Sequence, residues 1–191
     1  MNILIAGVGG QGTLLASRIL GRVAMDGGYD VKVSEVHGMA QRGGSVVTYV
    51  KYGEKIYSPI IEEGEADIVL AFEELEAYRY LPYLRKGGKL LLNTQCMDPM
   101  PVITGKMAYP ADITGRIEAM GVDMTAVDAL RLAREAGSEK AVNVVLIGVL
   151  AAHTDIAEAE WLSAIERTVP PKFLEINKKA FALGFGAKTT A

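Results

Sequence analysis

An α/β fold of three layers, with helices on both sides of a mixed, mostly parallel sheet, is what this sequence predicts. Three observations carry that reading. The chain opens on an apolar run, Asn2-Ile3-Leu4-Ile5-Ala6, which breaks into Gly7-Val8-Gly9-Gly10-Gln11-Gly12 and then a helical pattern. Strand, glycine turn and helix follow one another as in a Rossmann-like first βαβ unit. Further along, Ala66 to Phe72 and Lys89 to Asn93 are near-continuous apolar runs, as expected of strands covered on both faces. Between them, glycines and a stretch rich in Val, Thr and Tyr stand where a second crossover helix would be needed. That predicts a β-hairpin, and a sheet that is not all parallel.

In chain order, Leu15, Ile19 and Val23 give the first helix its apolar stripe, and Asp26-Gly27-Gly28 ends it with glycine at the C-cap. Asp30 to Val36 alternates as a second strand, with Glu35 at its carboxyl end. Val36 to Gly44 has no helical stripe and contains Gly38, Gly43 and Gly44. Ser45 to Tyr52, the link Gly53-Glu54 and then Lys55 to Tyr57 read as two β runs of one antiparallel hairpin. Glu73-Glu74 starts a helix through Tyr80, since acidic residues suit a first turn, and Pro82 stops it. Gly87-Gly88 breaks the chain before the strand Lys89 to Asn93. Thr94 to Tyr109, with Pro99 and Pro101 inside it and Pro110 beyond, reads as irregular with short β pieces. A helix over 112–120, a short strand over 122–127 and a helix over 129–136 follow, closed by Gly121 and Gly137. Asn143 to Ala152 is apolar on nearly every side and reads as a buried helix. Two amphipathic helices, 158–167 and 172–183, complete one domain over residues 1–191.

Composition removes several classes of function. Half of the 191 residues are hydrophobic, and the net charge of -3 leaves no basic footprint for nucleic acid. A strand starting at residue 2 leaves no room for a targeting peptide, and the most apolar later segment is shorter than the ~20 residues a membrane helix needs. The expectation is a cytoplasmic protein without a membrane partner. Cys96 is the one cysteine, so the chain alone forms no disulfide and cannot ligate an iron–sulfur cluster, which takes a set of thiolates. His37 and His153 are far apart, and no metal site is expected.

Ligands of open α/β sheets bind beyond the carboxyl ends of the strands. Those ends bring together Gly7 to Gly12, Glu35 to Gly44, Phe72 to Glu74 and Asn93 to Gln95. Tight strand-to-helix packing explains Gly7, Gly9 and Gly12 as well as ligand binding does. Gly10 and Gln11 tip the balance towards a ligand, because Gln11 would stand at the helix start with its amide free. Glu35 falls 23 residues past Gly12, near where a dinucleotide enzyme holds its ribose hydroxyls. In the loop from His37 to Gly44, glycines let the backbone approach a partner and Arg42 offers a planar anion fork. The candidate binding residues are Gly7, Gly9, Gly10, Gln11, Gly12, Glu35, His37, Arg42, Gly43 and Gly44. Asn143 reads as a satisfied core amide and Cys96 as a small buried hydrophobe. Trp161, Phe173 and Phe181 fit helix packing. Asp67, Glu73 and Glu74 read as charges at element ends, and no catalytic constellation is present.

The opening glycine turn, taken with Ser34-Glu35-Val36-His37-Gly38-Met39-Ala40-Gln41-Arg42-Gly43-Gly44-Ser45, resembles the gamma-type subunits of 2-oxoacid:ferredoxin oxidoreductases. The likeness is strongest to the small subunits of the indolepyruvate branch. Tyr57-Ser58-Pro59, the segment from Glu73 to Gly88, and Pro170-Pro171-Lys172-Phe173 with Asn177 and Phe181 continue the pattern. The resemblance implies a share in an enzyme that decarboxylates a 2-oxoacid, passes electrons singly to ferredoxin and gives the acyl group to coenzyme A. Thiamine diphosphate, Mg and iron–sulfur clusters would sit on a large catalytic subunit, leaving the isolated chain inactive and free to form a homodimer. An independent NAD(P)-binding module is the alternative, and an assembly scaffold a third reading.

Overall fold

The computed structural model describes residues 1–38 and 43–187. Its strands are β1 (Asn2–Val8), β2 (Asp30–His37), β3 (Ser45–Gly53), β4 (Ala66–Ala71), β5 (Leu84–Asn93) and β6 (Asp123–Val127). Its helices are α1 (Thr13–Asp26), α2 (Glu74–Tyr80), α3 (Met100–Ile103), α4 (Ile113–Ala119), α5 (Ala129–Ala136), α6 (Val142–Ala151), α7 (Glu158–Thr168) and α8 (Leu174–Phe185).

The strands form one sheet in the order β2-β3-β1-β4-β5-β6. β1, β4, β5 and β6 run parallel, whereas β3 is antiparallel to both β1 and β2. Successive residues point to opposite faces, which divides the core in two. Ile3, Ile5, Leu70, Phe72 and Leu91 pack under α1 and α5 to α8. Leu4, Ala6, Val69 and Leu92 pack under α2 and α4. The three layers and the mixed sheet follow from that alternation, as the sequence predicts.

Three expectations about strands need correction. The hairpin exists, but β3 pairs with β2 across the glycine loop, from Asp30 opposite Gly53 to His37 opposite Val46. Residues 55–57 form no strand, because β1 and β2 already occupy both edges of β3. Instead the Asp30 carboxylate accepts a hydrogen bond from the Ile56 N–H at 2.9 Å and turns the chain away. Gly87-Gly88 does not break the chain before β5 but lies within it. Gly87 has φ +73°, and the register against β4 shifts between Ala66 and Ile68. A Cβ on Gly88 would lie 2.7 Å from Leu84 Cδ1, so the pair makes a bulge. Residues 94–109 hold the short helix α3 and no strand.

The helical expectations hold. All ten residues of α6 are buried, as its even apolarity requires. Trp161 and Phe181 are fully buried against it, the Trp161 indole N–H without a partner among the described residues, while Phe173 is half exposed rather than packed. No helix among the described residues is long and apolar enough to cross a membrane.

α6 and α8 cross at backbone contact. A Cβ on Gly184 would lie 2.0 Å from the Val145 carbonyl oxygen, and one on Gly148 would lie 2.2 Å from that of Phe181. No rotamer change relieves a clash with backbone. Gly184→Ala is expected to lower stability by about 1–3 kcal/mol, the usual range for overpacking, read as a fall in the urea midpoint.

Candidate functional site

β1 ends at Val8 and α1 starts at Thr13, so the glycine turn lies at the carboxyl rim of the sheet. Gln11 holds that turn. Its Oε1 accepts the Val8 N–H at 2.8 Å and its Nε2 donates to the Phe72 carbonyl at 3.0 Å. The Asn93 amide donates to the same carbonyl at 2.9 Å, and its oxygen accepts the Ala129 N–H at 3.1 Å. Two side-chain amides thus tie the ends of β1, β4 and β5 to the start of α5. The expectation that the Gln11 amide stands free is therefore wrong: both of its ends are used inside the fold.

The glycines divide by role. Gly7 is a packing glycine, since its Cβ would meet Thr13 Cγ2 at 3.0 Å and Phe72 Cβ at 3.1 Å. Gly12 has φ +82°, and a Cβ there would lie 2.5 Å from Asn143 Nδ2, so it serves close approach as well. Gly10, at φ +105°, opens onto space with nothing within 4 Å. Gly9 joins the two glycine loops: its N–H donates to the Gly44 carbonyl at 2.8 Å, and its carbonyl accepts the Gly43 N–H at 3.3 Å. Arg42 lies outside the described residues.

Two clefts flank the turn. In the first, of about 370 Å³, Gly10, Thr13 and Leu14 face Glu35 and His37. Residues 35 and 37 share a face because strands alternate. Glu35 accepts from Thr48 Oγ1 at 3.3 Å, and His37 Nδ1 lies 3.0 Å from the Gly38 carbonyl. The second, of about 580 Å³, continues from Gly10 and Gly12 to Gln95, Met97, Lys140 and Asn143. Glu139 also lines it, but Arg134 pairs with that carboxylate at 2.7 Å. The Lys140 ammonium makes no ion pair among the described residues. The first amides of a helix lack an intrahelical acceptor, and Gly12 supplies no side-chain cap. Amides and ammonium together suit an anion.

Sequence reasoning missed Thr13 and Lys140. Thr13 is only 6% exposed, lines the first cleft, and its hydroxyl bonds to no described residue. Its place as the first helical residue was the one available clue. Lys140 is remote in the chain and reaches the rim only because α6 packs against Gly12. Asn143 behaves as expected, its amide bonded to the Val144 N–H and the Gly12 carbonyl.

One further reading changes. Cys96 is exposed, not buried; partial desolvation pushes its thiol pKa up, opposed by the Tyr109 hydroxyl and reinforced by Glu74. Glu73 does stand at an element end, as the N-cap of α2, but inside the fold. It is 1% exposed, caps α2 through the Glu76 N–H at 2.9 Å, and accepts from the Met97 N–H at 3.0 Å and the Tyr109 hydroxyl at 2.5 Å. Glu76, also buried, accepts from Ser45 Oγ at 2.5 Å and from Arg79 at 2.7 Å. Burial pushes Glu76 above the ordinary 4.5, against the pull of Ser45 and Arg79.

Among known proteins, the family model of pyruvate ferredoxin/flavodoxin oxidoreductase matches residues 2–187. The chain belongs to that family. An indolepyruvate oxidoreductase subunit IorB from Thermococcus kodakarensis is 45% identical over 191 residues, covering 97% of this chain and 95% of the relative. The gamma subunit of a keto/oxoacid ferredoxin oxidoreductase from Geobacter sulfurreducens superposes with a TM-score of 0.72 at 26% identity, over 96% of this chain and 95% of that one. A 2-oxoglutarate:ferredoxin oxidoreductase from Magnetococcus marinus, solved with 2-oxoglutarate, coenzyme A and succinyl-CoA, shares the fold at TM-score 0.74 and 18% identity. There the match covers all of this chain but 32% of the longer one. This oxidoreductase-family chain is a subunit, and among its described residues no group of three or more His, Cys, Asp or Glu could hold a metal ion.

Gln11→Leu strands the Val8 N–H and removes one donor from Phe72; a loss of about 1–3 kcal/mol is expected in chemical denaturation. A second outcome concerns pH. Folded Glu76 binds its proton more tightly than unfolded, so its contribution to stability falls as pH rises from 4.5 through the raised folded value. The urea midpoint of the parent protein, measured against Glu76→Gln across that window, should decline with pH and level off above it.

Proposed function

We propose that this chain is the small, gamma-type subunit, one domain over residues 1–191, of a cytoplasmic 2-oxoacid:ferredoxin oxidoreductase acting on indolepyruvate or another aryl pyruvate. The observation that carries the reading is the 45% identity to IorB across nearly the full length of both chains. In the reaction, the oxoacid loses carbon dioxide and its carbonyl carbon becomes the acyl carbon of a thioester to coenzyme A. The thiol proton is released, and two electrons leave one at a time to ferredoxin.

With a single, exposed cysteine, the donor set here does not fit an iron–sulfur cluster. We assign the clusters, with thiamine diphosphate and Mg, to the large catalytic subunit, and ferredoxin is reached through the complex. This chain's own part is to hold coenzyme A. The α1 amides, the Thr13 hydroxyl, Lys140 and Arg42 offer donors to its phosphates, Glu35 and His37 accept or donate to its hydroxyls, and Gln11 keeps the cradle in shape. Gly9 with Gly43 and Gly44 sets the distance between the two loops, Gly10 keeps the approach open, and Gly7 and Gly12 let the turn pack against Phe72 and Asn143.

Adding the chain to its purified large subunit should restore 2-oxoacid-dependent ferredoxin reduction, each part being inactive alone. In that reconstituted enzyme, Thr13→Val and Arg42→Ala should each raise the KM for coenzyme A about tenfold, leaving the KM for the oxoacid and the thermal midpoint unchanged. A KM for coenzyme A that does not move in either variant removes the cradle from the mechanism.

A further inference from the structure

Residues 97–109 leave the sheet rim and return to it, and both feet of this excursion are fastened to one buried group. The Met97 N–H and the Tyr109 hydroxyl both donate to Glu73 Oε1, at 3.0 and 2.5 Å. Within the excursion, the N–H groups of Lys106 and Met107 close back on the Pro101 carbonyl at 2.9 and 3.1 Å. What this braced turn displays is apolar. Met100, Ile103 and Met107 are 62%, 65% and 66% exposed, and only Tyr57 exceeds them among the exposed large hydrophobic residues described. Apolar side chains concentrated on a fixed projection keep most of their unfavourable contact with water, which marks a surface meant to be covered.

We propose that this turn, with Met100, Ile103 and Met107 as its anchors, is where the large catalytic subunit docks, an inference that rests on the function proposed above. The place favours that occupant. Met97 lines the second cleft beside Gly10 and Lys140, so the apolar surface continues the cleft mouth, and a partner reacting with a ligand held there must close over this rim. Asp98 and Lys106 offset one another, which leaves a nearly neutral patch suited to apolar contact. Unbranched, polarizable methionines adapt to an irregular apolar surface. In the Magnetococcus enzyme this fold is about a third of one longer chain, so there it lies beside further polypeptide of the same enzyme.

The test uses both full-length subunits. Met100→Glu combined with Ile103→Glu should weaken association with the large subunit at least 30-fold by sedimentation, while circular dichroism and thermal midpoint of the free small subunit stay unchanged. Met120→Glu, at a methionine that is 56% exposed beside Gly87 and Asp123 on the opposite rim, should leave association intact. Equal binding by the double variant overturns the docking surface, as does equal weakening by Met120→Glu. Loss of a homodimer of the free chain without loss of large-subunit binding assigns the turn to a second copy instead, and also overturns the proposal. If the parent chains do not associate at all, it is the proposed function that fails.

Discussion

The Phe72 carbonyl is the point on which the rim depends. It lies where β4 ends, and it accepts the amides of Gln11 and Asn93, one from the turn after β1 and one from the end of β5. Each of those side chains spends its other end on a further backbone group. Three strand ends and the start of a helix are thereby held in one hydrogen-bonded unit in a place where buried polar groups are costly unless paired. Glu73, the next residue along, extends the same principle outward by fastening residues 97–109.

Most of the fold was legible because it is written in local periodicity. The buried α6, the end of α5 at Gly137 and the alternation of β2 all follow from spacing and turn chemistry. What escaped depends on neighbours that are distant in sequence. Residues 55–57 have the composition of a strand, and they fail to be one only because β3 has no free edge. Gly87-Gly88 looks like a break until Ala66 of β4 is placed beside it. The glycine turn was found, yet Gln11 was misread, since nothing local reveals that Phe72 would lie within reach of its amide. Cys96 was assigned to the interior on residue type, although it sits at the foot of an outward excursion.

The same logic explains why Thr13 and Lys140 entered the site only with the structure. A threonine at a helix start is ordinary, and its meaning comes from Glu35 and His37 standing across the cleft on β2. That opposition exists because β3 is slotted between β1 and β2, which widens the space where a dinucleotide fold would place adjacent strands. The sheet order thus converts a familiar glycine turn into a broader cradle, in keeping with a family whose members share their chemistry among subunits.

The main-chain bonds between Gly9 and the Gly43-Gly44 segment have a mechanical result. Because each loop grips the other through amide groups, neither glycine strip can swing alone: any load that lifts one either ruptures that clasp or drags its neighbour along. The turn that leads into α1 and the start of β3 are in this way buttoned to one another.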